Sequence, residues 1–558
     1  MCGIFALINT KKDFDLIKEE FEKGKIRGPE NSELLKINNT YLGFHRLAIN
    51  GLNEKSNQPF KINNIYCICN GEIYNYKSLA YNYNIDLTTD SDCEIIIQLY
   101  IKLGIEKTIK LLDGVFSFVI YDTNINNLFI SRDPFGVRPL YYFKEHEKNF
   151  GFSSDLKVLY NLCENKYNIK NFPPGHYFSI ILNSTYDEFD NIQYFKLPEY
   201  NLVLNNTENN SLIYTETTLY NTIVDLLKSS VYKRVVDTCE RPIACLLSGG
   251  LDSSLIAALV SEYLKKNNKK LATFSIGLKD SEDLKYAKKV ADHIDSYHTE
   301  IELTEDDFFN SIPDVIYNIE SYDTTTVRAS VGNFLIGKYI KKNTDFKVIF
   351  NGDGADELMG GYLYFRKCPD CNEFDNECKK LLQNINRFDV LRSDKSISSH
   401  GLEPRTPFLD KKFVEYYITI DNNFKYETTK KICEKYLIRK AFEINMPQLL
   451  PKEILWRKKE AFSDGVSSLK KSWYNIINDK IYNLYKNSPF LLEELESLLV
   501  NCNSINKPTT YEQAYYRYLY NLYYKNTDNL IPYYWMPKYV KANDASARTL
   551  DIYNENNI

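Results

Sequence analysis

Ile243-Ala244-Cys245-Leu246-Leu247-Ser248-Gly249-Gly250-Leu251-Asp252-Ser253-Ser254 is an apolar run, a glycine turn and the opening of a helix. The run Ile243–Leu247 has the length and composition of a buried strand, and the spacing after it predicts a helix over Asp252–Lys265. Outward from this stretch the alternation continues. Strands are expected at Ala272–Ile276, Glu300–Leu303 and Lys347–Phe350, and helices at Thr218–Val236, Asp283–His293 and Glu305–Ile319. Strands alternating with helices of this length imply a parallel sheet with crossovers, an α/β unit. Ligands of such sheets bind beyond the carboxyl ends of the strands. A second glycine turn, Asn351-Gly352-Asp353-Gly354-Ala355-Asp356-Glu357, follows the strand Lys347–Phe350, so both turns are expected on one edge. Gly249 and Gly250 would let backbone N–H groups approach an anion, and the helix after them aims its positive end at the same place. Ser248, Ser253 and Ser254 add hydroxyls. Asp252 and Asp356 are acidic, so a phosphate here needs a divalent cation such as Mg²⁺ between them. No Gly-Lys-Ser/Thr follows, so this is not a Walker loop. The plain alternative, a strand–helix connection without a ligand, leaves the second acidic turn unexplained.

Residues 1–195 read differently. Phe44–Ile49, Ile65–Cys69, Val115–Tyr121, Leu128–Ser131 and Leu140–Phe143 are short β-branched or aromatic runs between polar turns, and Phe14–Lys23 and Cys93–Leu103 have helical spacing. The expectation is a mixed, largely antiparallel α+β domain. Its second residue is a cysteine. If Met1 is removed, Cys2 carries both a thiol and a free α-amine, whose ordinary pKa of about 7.7–8.0 suits a general base near neutral pH. Such a nucleophile needs no histidine. The competing reading is a buried cysteine of a first strand, since Gly3-Ile4-Phe5-Ala6-Leu7-Ile8 is apolar. Beyond Pro198 the chain turns polar and Asn-rich, which predicts a linker over 198–210. Everything after about residue 370 reads as mainly helical.

Composition sets the class. With 558 residues the chain is long enough for two large cores, and 44% hydrophobic and 26% charged residues are those of a soluble globular protein. The formal net charge of −5 offers no basic surface for nucleic acid. Twelve scattered cysteines indicate a reducing compartment. The N-terminus lacks the positive region of a secretory signal, and no apolar stretch is long enough to span a membrane. A cytoplasmic location is expected.

These motifs carry a resemblance. Ser248–Ser254 resembles the pyrophosphate-binding loop of the N-type ATP pyrophosphatases, and Met1-Cys2-Gly3-Ile4 resembles the start of class II glutamine amidotransferases, which are N-terminal nucleophile hydrolases. In this order the two resemble the glutamine-hydrolysing asparagine synthetases. The similarity continues through Gly43-Phe44-His45-Arg46-Leu47-Ala48, Asn70-Gly71-Glu72-Ile73-Tyr74-Asn75, Tyr322-Asp323-Thr324-Thr325-Thr326-Val327-Arg328, Arg405-Thr406-Pro407-Phe408-Leu409-Asp410 and Lys459-Glu460-Ala461-Phe462, and the tail looks like the eukaryotic form. It implies an amidotransferase domain over 1–197, the linker, and a synthetase domain over 211–558. It also implies roles. Cys2 attacks the amide of glutamine, with Asn70 and Gly71 as the oxyanion hole. Arg46 holds the α-carboxylate, Leu47, Ala48 and Ile49 line the site, and Glu72 and Asp92 hold the α-ammonium. Leu246 and Ile276 line the adenine site, joined by Ser248, Gly249, Gly250, Asp252, Ser253, Ser254, Asn351 and Gly352 around ATP. Asp252 and Asp356 bind Mg²⁺, Thr325, Thr326 and Arg328 lie by the phosphates and aspartate, Asp353 acts on the intermediate, and Lys459 neutralises charge at phosphorus. The implied partners are the small molecules glutamine, aspartate and ATP, with no nucleic acid, no membrane, and a homodimer left open.

Three departures stand out. Ile26-Arg27-Gly28-Pro29-Glu30 replaces the usual His-Arg-Gly-Pro-Asp, and Asn351 and Asp353 replace the usual Ser and Glu of the second glycine turn. The shorter acid costs reach of about 1 Å, enough to slow a misplaced group. The β-lactam synthetases share the architecture but lack the nucleophilic cysteine, and a non-catalytic scaffold would not keep acids, bases and nucleophile together. Cys368-Pro369-Asp370-Cys371 with Cys378 is a weak zinc pattern with no histidine near, so free cysteines are expected. Cys67 and Cys69 read as packing residues of one strand face.

Overall fold

The computed structural model describes residues 2–145, 149–182, 189–199, 215–468, 471–502, 505–542 and 544–554. The linker expected at 198–210 lies almost wholly outside the described residues.

The first unit is two stacked antiparallel sheets of six strands, flanked by helices. One sheet runs, edge to edge, through Lys170–Asn171, Tyr141–Lys144, Phe150–Ser153, Gly3–Ile8, Thr40–Arg46 and Asn31–Ile37. The other runs through Phe189–Gln193, His176–Ile181, Asn127–Arg132, Gly114–Asp122, Ile65–Ile73 and Phe60–Ile62. The all-apolar strand Gly3–Ile8 is central and buried on both faces. Ile4, Ala6 and Ile8 point between the sheets against Ile68, Val119 and Ile130. Phe5 and Leu7 point outward against the helices Phe14–Glu22 and Leu156–Tyr160. Period-two alternation is invisible where both faces are covered. On the second sheet Cys67 and Cys69 face outward onto the helix Glu94–Leu103, as packing residues.

The second unit is built on five parallel strands in the order Tyr297–Leu303, Ala272–Leu278, Ile243–Leu246, Val348–Phe350 and Glu403–Arg405. Cys245, Val348 and Phe350 turn to the face carrying the helices Glu216–Val236 and Leu251–Lys266, while Ala244, Phe274, Ile276 and Ile349 turn to the face carrying Thr324–Asn343. The four expected strands are present. The fifth, Glu403–Arg405, escaped pattern reading because Glu-Pro-Arg is polar, yet all three residues are buried. The single helix expected over Glu305–Ile319 is two, Glu305–Asn310 and Ile312–Ile319. Pro313 in the first turn of the second helix marks the break, since its ring cannot continue a preceding helix. From Cys371 onward the regular elements of the described chain are all helices apart from that short strand. No described helix is long and apolar enough to cross a membrane.

Candidate active sites

At the start of the chain, the backbone nitrogen of Cys2 donates to Asn70 Oδ1 at 3.1 Å, and its thiol lies 3.7 Å from the Leu47 carbonyl. Arg27 Nε donates to the Cys2 carbonyl at 3.1 Å. Removal of Met1 would turn the nitrogen held by Asn70 into an α-amine beside the thiol. Burial pushes the Cys2 thiol up, so the thiol needs a base at hand. Asn70 is itself held by Ser154, whose hydroxyl accepts from Asn70 Nδ2 at 3.4 Å. Gly71 is obligatory in its strand, because a Cβ would sit 2.4 Å from the Val115 carbonyl oxygen. Leu47, Ala48 and Ile49 are all buried.

Arg46 and Asp92 close the same loop. Arg46 donates to the carbonyls of Asn53 (2.9 Å) and Gly51 and to Asn57 Oδ1 (2.6 Å), all neutral acceptors. Asp92 accepts from Ile73 N at 2.7 Å and from Asn50 Nδ2 at 3.4 Å, and burial pushes its carboxyl up to about 6. Glu72 is placed differently from its expected neighbours. Its Oε2 is 3.3 Å from the Arg405 guanidinium of the second unit. Burial, with Glu403 and Asp92 close by, pushes its carboxyl well above the usual range.

The other site is a cavity at the carboxyl edge of the parallel sheet. Leu246, Ser248, Gly250, Asp252, Ser253, Ile276, Thr325, Asn351, Gly352, Asp353, Asp356 and Lys459 all line it. The two glycine turns meet because their strands are adjacent and in register, Cys245 beside Phe350. A Cβ on Gly352 would lie 2.8 Å from Asp252, so the second turn packs directly on the start of the first turn's helix. Phe274, Ile276, Ala329, Ile336 and Phe462 make one wall apolar, while Asp252, Asp356, Lys435 and Lys459 make another charged.

That charged wall centres on a lysine the motifs did not reveal. Lys435 Nζ is 2.6 Å from Asp252 and 2.5 Å from Asp356, and Lys459 Nζ is 2.5 Å from Asp356. Burial alone would raise Asp356, but the two ammonium groups hold it well below the usual carboxylate range. Lys435 comes from a distant helix start and has a left-handed backbone, φ 55°. Nothing in its local sequence separates it from an ordinary surface lysine. Asp252 Oδ1 is buried without a hydrogen-bond partner among the described residues. Two carboxylates, one with an orphan oxygen, fit the donor set of Mg²⁺, which takes one or two carboxylates plus phosphate oxygens.

Asp353 does not cap the helix that follows it. That helix, Ala355–Met359, begins at Gly354 with no side-chain cap. The Asp353 carboxylate instead accepts from Asn351 Nδ2 (2.8 Å) and Arg392 (3.3 Å) at the cavity wall. Asn351 also donates to Ser393 at 2.7 Å, so the residue standing for a serine holds the shortened acid. Arg457, also outside the recognised motifs, donates to the Ser248 carbonyl at 3.3 Å and pairs with Asp283 at 3.1 Å. Burial pushes Asp283 up to about 7.

Four expected residues lie off the cavity wall. Gly249 has φ 70°, and a Cβ there would stand 2.4 Å from the backbone of Tyr286 and Ala287, so it serves helix packing. Ser254 is fully buried inside its helix. Thr326 gives its hydroxyl to Asp323 at 2.7 Å, completing a helix N-cap. Arg328 is gripped by Glu512 (2.7 Å) and Asp544 (2.9 Å). The cavity face of the helix Thr324–Asn343 runs through Thr325, Ala329 and Asn333, four apart, and Arg328 falls beside it. Elsewhere, Cys371 opens the helix Cys371–Asn384, Cys378 is buried two turns later, and the Cys368 thiol lies 3.4 Å from the Asp370 carbonyl. No group of three or more His, Cys, Asp or Glu among the described residues is arranged to hold a metal ion.

A glutamine amidotransferase domain model matches residues 1–215, and an asparagine synthase model matches 222–378 and 372–488. The chain is 38% identical over 580 residues to the asparagine synthetase [glutamine-hydrolyzing] of Gallus gallus, covering 99% of both. This chain belongs to the glutamine-hydrolysing asparagine synthetase family. The Homo sapiens member is likewise 38% identical over 575 residues, again covering 99% of both chains. The similarity therefore spans both sites and the boundary between them.

Proposed function

We propose that this chain makes L-asparagine from L-aspartate and ATP, using ammonia released from L-glutamine, and yields AMP, pyrophosphate and glutamate through a β-aspartyl-AMP intermediate. The observation that supports this most directly is the pairing of two sites in one chain: a Cys2 whose nitrogen is held by Asn70, and a cavity walled by the Ser248 and Asn351 turns. On this reading residues 1–197 are the amidotransferase domain, 198–210 the linker and 211–558 the synthetase domain.

In the first domain the Cys2 thiol passes its proton to its own α-amine and attacks the amide carbon of glutamine. The α-amine returns that proton to the leaving nitrogen, the C–N bond breaks to free ammonia, and water cleaves the resulting thioester to glutamate. Asn70 Nδ2 and the Gly71 N–H then face the charge developing on oxygen, the term that most lowers such barriers. Arg46 receives the α-carboxylate and Asp92 the α-ammonium. In the second domain the apolar wall of Leu246 and Ile276 takes the adenine, and the Ser248–Ser253 turn faces the pyrophosphate. Asp252 and Asp356 would hold Mg²⁺, which offsets charge on the departing pyrophosphate. Lys459 and Lys435 bring positive charge to the same wall, and Asp353, set by Asn351 and Arg392, faces the aspartyl adenylate.

The test is one incubation with glutamine, aspartate, ATP and Mg²⁺, with asparagine, glutamate, AMP and pyrophosphate measured together. Cys2→Ala should stop glutamine use and leave synthesis from added ammonia intact. Asparagine formed from glutamine by Cys2→Ala would refute the two-site reading.

A further inference from the structure

The loop that surrounds Cys2 is not held by its own domain alone. Its carbonyls at Ala48 and Ile49 and its N–H at Gly51 face the second unit. Arg241 Nε donates to the Ala48 carbonyl at 2.8 Å, Glu240 N donates to the Ile49 carbonyl at 3.0 Å, and Gly51 N donates to Glu240 Oε1 at 2.7 Å. The same Arg241 reaches Glu30 at 3.2 Å with its other nitrogen, and Glu30 accepts from Ala48 N at 2.7 Å. Both backbone groups of Ala48 are thus fixed by one arginine–glutamate pair. A guanidinium can make these two contacts at once because its donors form a planar fork, whereas an ammonium cannot reach both at these angles.

The inner side of the loop touches the chemistry. The Leu47 carbonyl lies 3.7 Å from the Cys2 thiol, and Asn50 Nδ2 reaches Asp92 Oδ1 at 3.4 Å. On the far side, Glu240 and Arg241 lead directly into the strand Ile243–Leu246, whose end is the Ser248 turn of the nucleotide cavity. Leu47 and Ile49 share one continuous apolar core with Leu247 and Leu251.

We propose that Glu240 and Arg241, with Glu30, are positioning residues of the glutamine site: they set the Leu47–Gly51 loop from the synthetase side and link it to the strand that carries the nucleotide turn. Glu30 stands where the family usually has an aspartate, and its added methylene gives the carboxylate the reach to join Ala48 N and Arg241. The inference rests on the reading of Cys2 as the glutaminase nucleophile. Its consequence is that glutamine hydrolysis senses the state of the nucleotide turn through this clamp.

The experiment uses the full chain and the variants Arg241→Lys, Arg241→Ala and Glu30→Asp. Three quantities are measured: glutamine KM and kcat with and without ATP and aspartate, ammonia-dependent asparagine synthesis, and thermal midpoint. Arg241→Lys should raise the glutamine KM about tenfold, the loss expected for one charge-assisted contact. In wild type the glutaminase rates with and without ATP and aspartate should differ; Arg241→Lys should make them equal and lower the asparagine-to-glutamate ratio. Glu30→Asp should shift the same quantities in the same direction by less, and ammonia-dependent synthesis should stay within about twofold of wild type. An unchanged glutamine KM in Arg241→Ala, or a wild-type glutaminase indifferent to ATP and aspartate, would overturn the proposal. So would a parallel loss of ammonia-dependent synthesis, which would make Arg241 a structural residue of the synthetase unit. A wild-type enzyme that hydrolyses no glutamine would instead refute the functional reading beneath it.

Discussion

Gly249→Ala and Gly250→Ala separate two roles that adjacent glycines play in one turn. At Gly249 φ is 70°, and a new Cβ would lie 2.4 Å from Ala287 N, 2.4 Å from Tyr286 C and 2.5 Å from Tyr286 Cβ. Two of those atoms are backbone of the helix Glu282–His293, which packs on the sheet through Ala287, Val290 and Ala291 and cannot yield locally. The left-handed backbone costs an L-residue about 1–2 kcal/mol, and forcing a methyl into a filled site adds about 1–3 kcal/mol. Gly249→Ala should therefore destabilise the synthetase unit by about 2–5 kcal/mol, lowering its thermal midpoint by about 4 °C or more. At Gly250 the backbone is ordinary, φ −75°, and a Cβ would meet only the Ser248 hydroxyl at 3.4 Å. Gly250→Ala should melt within about 1 °C of wild type, yet its methyl would project toward the phosphates, and ATP–pyrophosphate exchange with aspartate should fall about tenfold or more. Differential scanning calorimetry and exchange on the same purified proteins decide the matter. A Gly249→Ala protein with wild-type stability and impaired exchange would show that this glycine faces the nucleotide after all.

Asp356→Asn should stop pyrophosphate release while glutamate release continues, because it leaves Lys435 and Lys459 without their shared counter-charge and removes one of the two carboxylates proposed to hold Mg²⁺. Parallel assays of the two products check it, and wild-type pyrophosphate output would remove the residue from the metal site. Asp353→Asn should cut asparagine formation by more than about tenfold, a barrier change of about 1.4 kcal/mol. Arg392 keeps its 2.6 Å bond to Asp389 in this variant, so little change in melting is expected. Retained turnover with lost stability would make Asp353 structural. For glutaminase, kcat/KM for glutamine should fall as pH drops below about 6, where burial makes Asp92 neutral and unable to pair with an ammonium group. A glutaminase pH profile flat down to 5 would exclude that role.

What the sequence disclosed and what it withheld divide along the range of the interactions. Strand, turn and helix at Ile243–Lys266 are local events, so an apolar run, two glycines and an amphipathic segment suffice to read them, and the second glycine turn follows by the same logic. Parallel register between Cys245 and Phe350 then brings the turns together without further information. The double burial of Gly3–Ile8 hid the alternation of that strand but not its existence. Lys435 is the opposite case. It lies 183 residues from Asp252, and its reach depends on a left-handed backbone and on Gly361, where a Cβ would fall 2.3 Å from its Cε. No local pattern encodes such a contact. Thr326 and Arg328 stand off the cavity wall for a third reason. A motif does not say which of its polar residues share a face, but a helix turns about 100° per residue, so Thr325 faces the cavity while its neighbours cap the helix or meet Glu512 and Asp544. Glu30 combines the last two effects: a conservative exchange in a local motif whose meaning lies in an arginine 211 residues away. A motif names the residue types a reaction needs, whereas the partners that orient them come from elements that only the tertiary fold brings near. In this chain four of those partners, Lys435, Arg392, Arg457 and Arg241, are basic residues reaching the motif turns and loops from elsewhere in the synthetase unit, beside neutral and acidic ones such as Ser154, Ser393 and Glu240. The turns and loops those four reach are edged by carboxylates and carbonyl oxygens, so much of the orienting charge is supplied across the fold rather than along the chain.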